Sequence, residues 1–368
     1  LLDACTRLAF SRALWFALLA LSTLLPTGPA MTEPAVPAGV PAPAAFVHSA
    51  RAALARTPEG VDPWFHGYHG ELADDHALRT WVRAKRQLLA LVGGVRGKVV
   101  VDAGSGFGMV ANLLASWGAE RVWALEVHAP MARSHALVNR VHFPQLAGRV
   151  LHVRGDAGRI PLRSGSADLV LSIEAISHYY DVDAFLDECA RVLRPGGYVV
   201  VSDGNNGANP RIRAHTLELW QRFELGPEGT FEGHLVPEPM IRRRERVLRQ
   251  GFPSLGEARV RELAQVTSGM DRAEITRAVA AHLAGGPAPA SPYRHGQCPR
   301  DPEWGYVMEQ LFDGRELAAR LARRGFDARA LPHFGGAAND WVHAVNLVLR
   351  ALPTHRWARA YRVVARRK

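Results

Sequence analysis

"VVVDAGSGFGMVANLLASWGAERVWALEVH" (residues 99–128) is the stretch on which the fold turns. A valine run enters a glycine-rich turn, apolar residues at helical spacing follow, and a second apolar run stops at Glu126. Glycines between a strand and a helix let the backbone approach a ligand closely, and the helix N-terminus favours negative charge. Gly104, Gly106 and Gly108 give the spacing G-x-G-x-G, whereas the dinucleotide fingerprint G-x-G-x-x-G would place its third glycine at Met109. Glu126, ending the second run, is placed to accept hydrogen bonds from ribose hydroxyls. The turn by itself seats a nucleotide-like cofactor without choosing one.

Working outward, five strand patterns alternate with helical ones: "KVVVDAG" (98–104), "RVWALEV" (121–127), "RVLHVRGDA" (149–157), "ADLVLSIEA" (167–175) and "GYVVVSDG" (197–204). Near-continuous Val, Leu and Ile runs mean burial on both faces, as in a parallel sheet covered by helices. "MVANLLASWG" and "VDAFLDECARVLR" are helical, the latter stopped by Pro195-Gly196-Gly197. A further helix is expected over 72–91, ending at Gly93-Gly94. The class is α/β, a doubly wound Rossmann-like sheet. After residue 204 the rhythm breaks into helical patterns, then returns with "ELAARLARRGF" and the strand-like runs "DARALPHFG" and "WVHAVNLVLRAL". The expected organisation is a non-core segment 1–44, a core 45–207, a helical insertion 208–312 after the fifth strand, a return to the sheet at 313–352, and a basic helix 353–368.

Composition narrows the class. Net charge is +10, but 42 of the 45 basic residues are arginine, the lysines being Lys85, Lys98 and Lys368. That bias and the abundant Ala and Gly reflect codon usage more than a nucleic-acid surface. Cys5, Cys189 and Cys298 are too scattered for a disulfide framework. "HGQC" pairs His295 with Cys298, but four ligands are needed and no second pair is apparent, so no metal is expected. Residues 1–30 imitate a secretory signal, with Arg7 and Arg12 before "ALWFALLALSTLL", whereas Met31 opens a Pro- and Ala-rich lead-in. Residues 1–30 are excluded from the fold, and a cytoplasmic location is expected.

Three further features bear on the cofactor. Asp102 stands two residues before the first glycine, where a carboxylate can help hold an ammonium group. "GDA" (155–157) ends the third strand, where Asp156 can accept from an adenine amino group. "DLVLSIEAISHYYD" and "ECARVLRPGGYVVVSD" follow in order. With these motifs, residues 98–204 closely resemble the class I S-adenosylmethionine-dependent methyltransferases, in particular the small-molecule branch with "DxGxGxG", "GDAxxLP", "FDxVxSxEAxxH" and "LRPGG". The resemblance implies a seven-stranded sheet and S-adenosylmethionine as cofactor. It further implies that Gly104, Ser105 and Gly106 wrap the methionine moiety, with Gly108 completing the turn and Glu126 taking the ribose. Val127, Asp156 and Ala157 surround adenine. Taken singly, Asp102 and Asp156 could cap loops and Glu126 could be a plain strand end.

Methyl transfer from a sulfonium is an in-line displacement by an acceptor that must be aligned and kept dry. A hydroxyl acceptor gains from a general base, commonly His. Glu174 and His178, the candidate catalytic residues, are four apart, so one helical turn would put them on one face, where substrate meets the methyl group and Glu174 also borders the cofactor. His178 is read as base or nucleophile orienter; pocket lining and a metal on nearby acids are the alternatives, with Ser177 standing where the metal-dependent relatives carry an acid. The "[DN]PP[YF]" signature of amino-directed nucleic-acid methyltransferases is absent, "SIEA" standing in its place. The insertion shows no run of aromatics interleaved with basic residues. A small-molecule acceptor under a helical cap is therefore the leading reading. An RNA or protein acceptor and a non-catalytic cofactor-binding protein are the others. Trp64, Phe65 and Tyr68 in "WFHGYHGE" either close over the cofactor or pack. "MIRRRERVLRQ" reads as a solvated helix face or an anion site. In the tail "HRWARAYRVVARRK", Trp357, Tyr361 and Val364 share a helical face beside Arg362, Arg366, Arg367 and Lys368. Such a helix packs on its own domain or makes peripheral membrane contact.

Overall fold

The computed structural model describes residues 43–231, 234–236, 238–292, 297–335, 346, 348–349 and 352–368. The readings of 1–42 and of His295 lie outside the described residues. Five parallel strands, β1 (Val99–Ala103), β2 (Arg121–Glu126), β3 (Val150–Arg154), β4 (Ala167–Ile173) and β5 (Leu193–Asp203), arise from the five apolar runs. A hairpin of β6 (Gly229–Phe231) and β7 (His234–Val236) stands apart. Phe326–His333 (β8) and Ala360–Arg367 (β9) complete a seven-stranded sheet of order β3-β2-β1-β4-β5-β9-β8, with β9 antiparallel to both neighbours. The order reverses between β1 and β4, so the connections that leave these two paired strands go to opposite faces of the sheet and leave a crevice at its carboxyl edge.

Helices α1 (Pro43–Ala55), α2 (Trp64–His69) and α3 (Asp75–Ala90) precede the sheet, and α4 (Met109–Ser116), α5 (Ala129–His142) and α6 (Val182–Val192) connect its strands. Asp74 and Asp181 cap α3 and α6 by accepting from Ala77 N and Ala184 N. The apolar stripes of α1, α3, α4 and α5 pack on one face, against Val100, Val122, Leu169 and Val200. The other face carries Val101, Val170, Val199 and Val201, covered by α6 and α11 (Gly314–Ala322). Between β5 and α11 run α7 (Pro210–Leu225), α8 (Met240–Gly251), α9 (Glu257–Val266) and α10 (Arg272–Leu283), the last three around a core of their own with Leu248, Val260, Leu263 and Ile275. The arginine-rich α8 is laced with ion pairs, Arg244 to Glu224 and Arg246 to Glu238 and Glu303 among them, so it is a structural helix.

Two expectations are corrected. The basic tail is a strand. Tyr361 and Val364, placed together on a helical face, are both buried but on opposite faces of the sheet, while Trp357 sits exposed in a single 3₁₀ turn. The period of three that joins 361 to 364 on a helix separates them on a strand. The β-branched pair Val363-Val364 fits a ribbon buried on both sides, so residues 360–367 form a strand and not the expected amphipathic helix. The second closing strand is thus β9. Most of "WVHAVNLVLRAL" lies outside the described residues, and Asn346, Val348 and Leu349 are helical.

Candidate active site

The glycine turn after β1 exists because all three of its glycines hold positive φ, at 71°, 55° and 78° for Gly104, Gly106 and Gly108. A Cβ at Gly104 would lie 2.6 Å from Ala175 Cβ, and one at Gly108 would overlap the His135 ring. The turn is locked to β2 by Glu126, whose carboxylate accepts from Gly106 N and His128 N, each at 2.8 Å. Glu126 is therefore more than a strand end. It is buried and holds the turn, and with two lone pairs on each oxygen it keeps capacity for ribose hydroxyls.

At the mouth of the crevice stands Asp102, 2% exposed, with Oδ2 unpaired among the described residues. Burial pushes its pKa up to about 7 against the pull of Lys85. Lys85, reaching from α3, is pushed down by burial and held up by Glu174 and Asp102. A buried carboxylate with one oxygen unpaired among the described residues, next to a turn that cannot take a Cβ, fits a ligand bearing an ammonium or sulfonium group. Ser105 Oγ is likewise buried and unpaired among the described residues. Asp156 is exposed; Oδ1 accepts from Gly158 N at 2.7 Å, so the carboxylate also caps its own turn. Val127 is exposed and Ala157 buried beside it on the adenine side implied by the sequence. Above the turn, Tyr68 Oη lies 3.4 Å from where a Gly106 Cβ would sit. Trp64 and Tyr68 are exposed and meet edge to face, whereas Phe65 is fully buried. Of the three aromatics, Phe65 packs, Tyr68 stands over the glycine turn, and Trp64 meets Tyr68, Phe107 and His128 edge to face.

On the opposite lip, Glu174 and His178 do not share a helical turn. Glu174 takes φ 51°, in the left-handed region, and only Ile176–His178 form a 3₁₀ turn. A side chain at positive φ breaks the helix that the spacing of four assumed. The outlier turns Glu174 Oε2 to accept from Gly204 N at 3.0 Å, bridging the ends of β4 and β5. Water reaches Glu174, but the walls of the crevice surround its carboxyl, and this desolvation, with Asp203 beside it, raises its pKa to about 7. Asp203, at the end of β5, is buried and accepts from Asn205 N and Ser177 N. His178 Nδ1 meets the carbonyl of Val307, from the segment that returns from the insertion. Tyr179 Oη donates to Ala103 O at 2.8 Å, tying β4's exit to β1 beneath the crevice.

Lys85, Asp203, Tyr179 and Glu309 escaped the sequence reading. Lys85 had a signal in its rarity among arginines, and Asp203 in ending the fifth strand as Glu126 ends the second. Glu309, whose carboxylate accepts from Asn205 Nδ2 at 3.3 Å and adds its charge to that of Asp203 on Glu174, comes close only through tertiary folding. Among the described residues, no group of three or more His, Cys, Asp or Glu side chains is arranged to hold a metal ion. None of their helices is long and apolar enough to cross a membrane.

Comparison with known proteins agrees with the geometry. Residues 101–201, from inside β1 to inside β5, match the family described as "Methyltransferase domain". The chain carries a class I methyltransferase domain, dependent on S-adenosylmethionine. A ubiquinone biosynthesis O-methyltransferase of Cupriavidus pinatubonensis is 30% identical over 158 residues, 41% of this chain and 59% of the relative. A probable S-adenosylmethionine-dependent methyltransferase of Mycolicibacterium smegmatis is 36% identical over 109 residues, 30% of this chain and 39% of its own. A fatty-acid O-methyltransferase of the same organism is 32% identical over 128 residues, 35% and 42% of the two chains. The matches thus span about two fifths to three fifths of these relatives.

Proposed function

We propose that the protein transfers the methyl group of S-adenosylmethionine to a small hydroxyl-bearing acceptor, held between the carboxyl edge of the sheet and the helical insertion 208–312. The observation that carries this reading is the crevice itself. One lip is built for a cofactor (Asp102, Gly104, Ser105, Gly106, Glu126) and the other bears a histidine faced by the insertion. When bound, the cofactor supplies an activated methyl on a cationic sulfur. Gly104 and Gly106 admit its methionine part against bare backbone, while Lys85 and Asp102 offer opposite charges to its carboxylate and ammonium. Glu126 takes the ribose, and Val127, Asp156 and Ala157 border the adenine. His178 receives the acceptor's hydroxyl proton as the oxygen attacks. Trp64 and Tyr68 exclude water from above.

Oxygen is preferred as the methylated atom because two of the relatives act as O-methyltransferases by name. The cytoplasm, which supplies the cofactor, is the proposed compartment. The test uses the full chain with methyl-labelled S-adenosylmethionine and a cell extract separated by size. Label is expected in the small-molecule fraction. Label confined to the protein or RNA fraction would overturn the small-acceptor reading.

A further inference from the structure

We propose that the segment Val307–Gln310, which closes the insertion, positions His178 by fixing its tautomer, so that Nε2 is the atom that takes the acceptor's proton. This rests on reading His178 as the base. The segment lies along the 3₁₀ turn after β4 and is bonded to it repeatedly. Val307 N donates to His178 O at 3.3 Å and Gln310 N donates to Ser177 O at 2.7 Å. The Gln310 side-chain amide donates to Tyr179 O, and His178 Nδ1 meets Val307 O at 3.3 Å.

A backbone carbonyl can only accept, so the bond to Val307 requires the proton on Nδ1. A neutral imidazole carries one N–H, which leaves the lone pair on Nε2. Nε2 has no partner among the described residues and is not sealed from solvent. The ring is thereby set as a proton acceptor at the nitrogen farther from the backbone, and turned by a fixed point on its other side.

The segment is itself anchored to the insertion and not only to the sheet. Trp220 on α7 donates from Nε1 to Glu309 O at 2.9 Å. Upstream, the Arg300 guanidinium stacks 3.6 Å over the Tyr180 ring and pairs with Asp271 and Glu274 at the start of α10. Arg243 of α8 pairs with the fully buried Asp301, whose other oxygen accepts from Glu303 N and Trp304 N. Downstream, Gly207 N donates to Phe312 O at 2.9 Å, returning the chain to the exit of β5. Three helices of the insertion therefore anchor the stretch that carries this carbonyl. Gln310 is a positioning residue in this scheme, acting through the segment's alignment.

The test needs no acceptor. The full chain labelled with ¹⁵N-histidine is observed by long-range ¹H–¹⁵N correlation at a pH where His178 is neutral, His178→Gln providing the assignment. The expected pattern is a protonated Nδ1 and a lone-pair Nε2. Gln310→Met, which keeps volume but cannot donate to Tyr179 O, should shift the tautomer ratio toward Nε2–H by about five-fold, the equivalent of one ordinary net hydrogen bond. Gln310→Ala is the second variant should the first not unfold cooperatively. A His178 found as the Nε2–H tautomer in the unaltered chain would overturn the proposal, as would a ratio unmoved in both variants. Labelled methyl in protein or RNA would instead overturn the function while leaving the tautomer result standing.

Discussion

A chain ending at Arg359 is expected to lose cooperative folding altogether. Its missing nine residues contain β9, which lies between β5 and β8 and pairs with both along its length, from Tyr198↔Arg366 to Asp203↔Tyr361 on one side and from Phe326↔Arg367 to His333↔Ala360 on the other. Deleting a central strand leaves two ladders of backbone groups without partners and detaches β8, and with it the cover that α11 gives the sheet. Tyr361, Val363 and Val364 are at most 4% exposed. Burial of three such side chains contributes about 5–9 kcal/mol, comparable with the whole stability of a typical domain, about 5–15 kcal/mol. Thermal unfolding followed by circular dichroism checks this against the full chain. A sigmoidal transition at an unchanged midpoint would mean that the tail is an accessory and that the sheet closes without it.

His178→Ala is expected to lower turnover on a hydroxyl acceptor by about 10²–10⁴, the usual range for removal of a general base. Affinity for S-adenosylhomocysteine should stay within a few-fold. The two readouts separate because the histidine lies on the β4 lip, whereas the groups assigned to the cofactor lie at the ends of β1, β2 and β3. The histidine touches Val307 of the insertion, and among the described residues no hydrogen bond links it to the glycine turn. Steady-state kinetics and calorimetry on the same preparation measure both. Unchanged turnover would reduce His178 to a packing residue under the insertion. A lost cofactor signal with normal folding would put the ring on the cofactor's side of the methyl group.

The sequence made the cofactor half of this site legible and the acceptor half much less so, for a physical reason. Asp102, the three glycines and Glu126 lie within 25 residues on one strand–turn–helix–strand unit. Local geometry therefore brings them together, and only the backbone constraint at each glycine had to be read. The five parallel strands were visible because burial on both faces leaves unbroken apolar runs. Their ends shifted by a few residues, most at β5, which begins at Leu193 rather than Gly197. By contrast, the spacing of Glu174 and His178 suggested a helix, and a single positive φ at Glu174 replaced it with an exit turn bonded to Gly204. Nothing in the local pattern announces that choice, since it depends on β5 lying alongside. Val307 and Gln310 meet the same turn from about 130 residues away. The tail failed differently: "AYRVVARR" suits either period, and only the gap between β5 and β8 selects the strand.

The central claim is that the crevice beside Asp102 and Glu126 is a seat for S-adenosylmethionine, and calorimetry of the full chain with S-adenosylhomocysteine and, separately, NAD tests it most directly. The expected result is saturable binding of S-adenosylhomocysteine with one site per chain, no heat from NAD, and a loss of about 1–3 kcal/mol in Glu126→Ala, the magnitude of charged hydrogen bonds to ribose. Clear NAD binding with no S-adenosylhomocysteine signal would contradict it.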